Sequence, residues 1–132
     1  TKIWLTWAGV ILRSEIPELD RSAHLLFSAD LNAACPNSVI EALACGLPVV
    51  AYATGPLPEI LENDAGRTAP YGSNYWEMEL PDVPALAEAA MEILHNLQYF
   101  QVKARKQAEY MFSLDHMVAE YLKILLPDQT TY

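Results

Sequence analysis

One continuous stretch, CPNSVIEALACGLPVVAYATGPLPE from Cys35 to Glu59, constrains this chain more than all the rest. It sets a loop of small residues, a short apolar helix, a helix stop and an apolar strand in immediate succession. The loop, Asn32 to Asn37, runs directly into a helix expected over Ser38–Ala44. Unpaired backbone N–H groups and the positive end of the helix dipole therefore face a segment that a ligand can approach closely. An anion such as a diphosphate suits this end, and Asn37, Ser38 and Val39 are the residues whose N–H groups would meet it. Asn37 and Ser38 are equally good caps for the helix itself. Glu41 lies one turn further in, where a carboxylate can accept hydrogen bonds from a diol while the main chain holds the anion. Gly46 then supplies the residue type that best tolerates a left-handed stop. Leu47-Pro48-Val49-Val50-Ala51-Tyr52 reads as a strand covered on both faces.

Around this stretch apolar runs alternate with helical patterns, the sign of βαβ units and a parallel sheet. Strands are expected over Ile3–Trp7, reaching as far as Ile11, over His24–Ser28, over Val49–Ala51 and, at an edge, over Gly66–Ala69. Short helices are expected over Ile16–Ser22, opened by Pro17, and over Leu57–Glu62, with Pro58 in its first turn. Residues 70–80, rich in Tyr, Gly, Ser and Asn, have neither period and read as a surface loop. Asp82-Val83-Pro84 starts a longer helix with Leu86, Ala90, Ile93, Leu94 and Leu97 on one stripe, and a second helix follows through Ala104, Ala108 and Met111. Ser113 caps a last helix ending near Leu126. The expected fold class is α/β, a partial Rossmann-like parallel sheet flanked by helices, with a helical carboxy-terminal region.

The 132 residues suit one compact domain, 1–132, burying about two-thirds of its unfolded surface. Eight basic against 17 acidic residues give a formal charge of −9, which repels polyanions and argues against nucleic acid and anionic membrane as partners. No apolar run approaches the roughly 20 residues of a membrane span. The start, Thr1-Lys2-Ile3-Trp4, lacks the layout of a secretion signal, so a soluble, cytoplasmic protein is expected. Cys35 and Cys45 stand in no metal-ligand spacing and read as reduced thiols. His24, His95 and His116 share no spacing with one another and read as structural, while Trp4, Trp7, Trp76, Tyr71, Tyr75 and Tyr110 default to packing.

The Cys35–Glu59 stretch closely resembles the donor-binding motif of the family-four retaining glycosyltransferases of the GT-B fold. There a Pro-Asn-Ser-Val-Ile-Glu-Ala-Leu-Ala-Cys-Gly-Leu-Pro-Val-Val-Ala run, here Pro36 to Ala51, follows a strand and precedes a Gly-Gly-Leu-Pro-Glu turn. The resemblance continues in Ile16 to His24 and in Phe112-Ser113-Leu114-Asp115, and so covers most of the chain. It implies the carboxy-terminal, nucleotide-sugar-binding part of an enzyme that moves a sugar from a nucleoside diphosphate donor to an acceptor hydroxyl with retention, without metal or cofactor. By the same resemblance Asn37, Ser38 and Val39 contact the diphosphate, Glu41 the ribose, and Gly9 and Ile11 the base through backbone groups and an apolar wall. Trp4 to Gly9 matches the third strand of the order 3-2-1-4-5-6. The first two strands, the acceptor domain and a glycine-rich loop bearing the cations for the diphosphate are then absent. A truncated piece is expected, inactive by itself, without a catalytic residue of its own and prone to self-association.

The chain also departs from that pattern. The resemblance places a first carboxylate, for the donor sugar, eight positions before Glu41, where Ala33 stands, and Asp30 is out of register. Gly55-Pro56 replaces a Gly-Gly pair, and Pro56 stiffens the turn and removes an N–H. Glu59 matches the acid of that turn but also suits the first turn of a helix. Arg13 and Arg21 read as solvated. Ala33 and Pro56 favour an alternative, a non-catalytic interaction or assembly module with a vestigial pocket, which the intact Glu41 helix opposes. A generic doubly wound domain for another phosphate ligand is the third reading.

Overall fold

A computed structural model describes residues 3–126; Thr1 and Lys2, with which the chain's start was read, lie outside them. Three strands, β1 (Leu26–Ser28), β2 (Val49–Tyr52) and β3 (Gly66–Ala69), form a parallel sheet in the order β1-β2-β3, with Leu26 opposite Val49 and Val49 opposite Gly66. Helices α1 (Ile16–Ser22), α2 (Asn37–Ala44) and α3 (Leu57–Ile60) fill the first half, and α4 (Val83–His95), α5 (Leu97–Met111) and α6 (Leu114–Leu125) the second. The fold is therefore α/β, a small parallel sheet flanked by helices with a helical carboxy-terminal region.

β2 is buried along its whole length because both of its faces are covered. Val49 and Ala51 face a core shared with Val39 and Leu43 of α2, Leu57 of α3 and Ala104 of α5. Val50 and Tyr52 point the other way, Val50 against Ile93 and Phe100 and Tyr52 against Tyr71. Pleat alternation thus builds two cores from one short strand. The helix stop after α2 is made as its sequence requires: Gly46 takes φ +74°, and Leu47 N–H donates to Ala42 O at 2.9 Å, the backbone closure that a left-handed glycine permits.

Of the expected stripe, Leu86, Ala90 and Ile93 of α4 belong to the second core together with Leu97, which opens α5 because the helix breaks at Asn96, but Leu94 is exposed. At 3.6 residues per turn Leu94 lies about 80° from Leu86, on the rim of the stripe. Residues 70–80 form a loop with one 3₁₀ turn, Tyr75–Glu77. Ser113 caps α6, its hydroxyl accepting from His116 N–H at 3.2 Å. Among the described residues no helix is long and apolar enough to cross a membrane.

One expected element does not form. Residues 3–11 are not a strand, and Ile3, Trp4, Leu5, Trp7 and Val10 project into solvent. An isolated strand leaves its N–H and C=O groups without a ladder, and no strand of the described chain lies beside this segment.

Candidate functional site

In an open parallel sheet the crevice for ligands lies beyond the carboxyl ends of the strands. The loop from β1 to α2 and the turn from β2 to α3 meet there. Gly55 takes φ +53°, and a Cβ added to it would stand 3.2 Å from the Ala33 carbonyl oxygen. The two departures from the family pattern, at Ala33 and at Gly55-Pro56, are thus neighbours. Beside them Thr54 is buried, and its Oγ1 has no hydrogen-bond partner.

Pro36, buried and lacking an N–H, occupies the cap position of α2 without a side-chain bond. Neither Asn37 nor Ser38 caps the helix. Val39 N–H donates to Pro36 O at 3.0 Å and Ile40 N–H to the same oxygen at 3.3 Å, so the Val39 donor is spent on the first turn. Asn37 and Ser38 are exposed, and among the described residues no backbone bond engages their N–H groups. Those two donors stand at the positive end of the helix.

Glu41 follows Asn37 by one turn, on the same side of α2. It is half-buried and lines a cavity of about 200 Å³ together with Arg13, Asp20, Cys45 and the apolar Ile16 and Pro17. Asp20 has one carboxylate oxygen, Oδ2, sealed from solvent without a partner. Burial pushes its pKa up, the charge of Glu41 adds to this, and Arg21 opposes it. Asn37 and Ser38 do not line this cavity, which runs along α2 toward Ala44 and Cys45; the helix end can take an anion, and the two carboxyls can take hydroxyl or N–H donors.

Sequence reasoning set Arg13 aside as solvated and passed over Asp20 and Thr54 as site residues. Asp20 was within reach, because it shares a helical face with Ile16 four positions before it; the orphaned Thr54 hydroxyl left no sequence signal. Gly9 and Ile11 are not brought to Glu41. Gly9 has φ +70° with open space around it, and Ile11 lines a separate groove along α1 with Glu15, Glu18 and Leu19. Glu59 is exposed in the first turn of α3. A larger groove, about 570 Å³, adjoins the Glu41 cavity at Ala44 and Cys45, at the carboxyl end of α2, where Arg105 donates to Ala44 O and pairs with Glu109 at 2.7 Å. Arg105 thus serves as a cap on the carboxyl end of α2, and the Glu41 cavity is the better candidate.

A profile of the family described as Glycosyl transferases group 1 matches residues 3–96. No curated protein matches the chain.

Proposed function

The chain belongs to the glycosyl transferases group 1 family, and on that premise we propose that it holds the nucleotide of a nucleoside diphosphate sugar for retaining transfer to an acceptor hydroxyl. The two open N–H groups of Asn37 and Ser38, one turn from Glu41, carry this reading. The diphosphate rests on those donors, the ribose diol donates to Glu41, and Arg13 is the cation lining the same cavity. The part played by these residues is binding. Leaving-group stabilisation calls for cations aimed at the diphosphate, and the helix end itself supplies only neutral N–H groups. In this reading the domain is the donor half of a GT-B enzyme and works in the cytoplasm, in keeping with its two free thiols, Cys35 and Cys45.

A second reading rests on Ala33. Its carbonyl faces Gly55, and its methyl group offers no acceptor to a donor sugar. A pocket that keeps the nucleotide contacts and lacks the sugar contact fits an interaction module with a vestigial site.

Calorimetric titration with a nucleoside diphosphate tests the first reading. A charge-assisted bond is worth about 1.5–3 kcal/mol, so Glu41→Ala should weaken binding by roughly 10- to 100-fold, with Glu41→Gln between the two. Equal affinity of Glu41→Ala and the parent chain would remove the ribose assignment. Absence of binding at millimolar nucleotide would remove the reading altogether.

A further inference from the structure

The Glu41 cavity is built by two helices. Ile16, Pro17 and Asp20 come from α1, Glu41 and Ala44 from α2, and Cys45 follows at the end of α2. At about 200 Å³ it is smaller than the roughly 300–1,000 Å³ that take a whole drug-sized ligand, so it suits one ring system of a larger molecule. Its direction says which one. Along α2 the open N–H groups of Asn37 and Ser38 come first, Glu41 one turn later and Ala44 one turn after that, the order in which diphosphate, ribose and base are joined. In the same cavity Asp20 is half-buried, and its Oδ2 is closed off without a donor.

We infer, resting on the nucleotide-binding reading, that this cavity holds the base, that the base is guanine, and that Asp20 selects it. An ionised carboxylate only accepts hydrogen bonds. Guanine alone among the common bases sets two donors side by side on its pairing edge, N1–H and N2–H, matched to the two oxygens of a carboxylate. Uracil flanks its single N–H with carbonyl oxygens, and cytosine and adenine set one amino group beside a ring acceptor. Each of these turns lone pairs toward the Asp20 carboxylate, which is costly for a group withdrawn from water. The terminal torsion of Asp is broad, so the carboxyl can turn to present both oxygens. Burial and Glu41 push its pKa up, and two N–H donors stabilise its charged form against both. Arg13, on the same cavity wall, carries only donors and suits the O6 and N7 acceptors further round the ring. Ile16, Pro17 and Ala44 offer apolar contact to its faces.

Calorimetric titration of the whole chain with the diphosphates of guanosine, inosine, uridine and adenosine tests this. Guanosine diphosphate should bind at least about tenfold more tightly than the uridine and adenosine compounds. Inosine diphosphate, which lacks only the N2 amino group, should fall between. Asp20→Asn keeps the shape of the side chain but leaves one acceptor where two are needed, and should erase the guanosine preference while a thermal melt shows the fold intact. Equal binding of the guanosine and uridine compounds, or of the guanosine and inosine compounds, overturns the inference and leaves the nucleotide reading standing. So does a guanosine preference that Asp20→Asn retains. Binding of none of the four removes the nucleotide reading, and the choice of base with it.

Discussion

At Gly66 the backbone of β3 runs so close to β2 that an added Cβ would sit 2.0 Å from the Val49 carbonyl oxygen. Gly66→Ala must push the edge strand off its neighbour, and overpacking of this kind costs about 1–3 kcal/mol; chemical denaturation should place the variant at the upper end. Asp20 acts in the opposite direction. Its carboxyl is raised above its ordinary value of 3.8 by burial and by Glu41, so the charged form costs stability at any pH above the folded-state value, and the cost vanishes once pH falls below 3.8. Asp20→Asn should therefore raise the thermal midpoint at pH 7, with the gain shrinking as pH falls through the folded value. Much at this scale could be read in advance: the stop at Gly46, the cap at Ser113 and the position of Glu41 follow from local backbone rules. Orphaned atoms such as Asp20 Oδ2 and Thr54 Oγ1 could not, because the lack of a partner is a property of the packed neighbourhood.

Among the elements, β3 is held from outside by one arginine. Arg67 reaches Asp64 at 2.8 Å and Glu92 at 2.7 Å, lies 4.5 Å over the Phe100 ring, and ties the edge strand to α4 and α5. Arg67→Met should lower stability by about 1–2 kcal/mol at neutral pH, the sum of half-exposed ion pairs and a cation–π contact. Tyr99 and Arg67 hold the Asp64 carboxyl below its usual range, and Arg67 does the same for Glu92. Carboxyls held down in the fold stabilise fully above their unfolded values and lose that contribution as pH falls through the folded ones. The gap between parent and variant, followed by thermal melts, should therefore narrow below about pH 4. α1 and β3 keep the boundaries their sequence predicts, and for α1 the reason is local, Pro17 in the first turn, where its fixed φ suits a helix. The Ile3–Trp7 strand fails for the reason that those elements succeed: strand propensity is local, but a strand exists only beside a partner, and no local pattern shows whether one is there.

For the molecule as a whole, the parallel sheet was legible because apolar runs alternate with helices, and β2 was legible as a strand covered on both faces because its residues are apolar in succession. Hidden from the sequence was the distribution of exposed apolar surface, which gathers at residues 3–12 and along α6, where Leu114, Tyr121 and Leu125 face solvent. The candidate site lies where the loop from β1 enters α2, and the central claim is that this end of the sheet holds a nucleotide on the α2 amino terminus. Amide-resolved NMR titration of the chain with a nucleoside diphosphate tests that claim most directly. The account predicts shifts concentrated at Asn37 to Glu41, extending to Arg13 and Asp20, and lost in Glu41→Ala. Shifts confined to the Arg105 groove, or none at millimolar ligand, would contradict it.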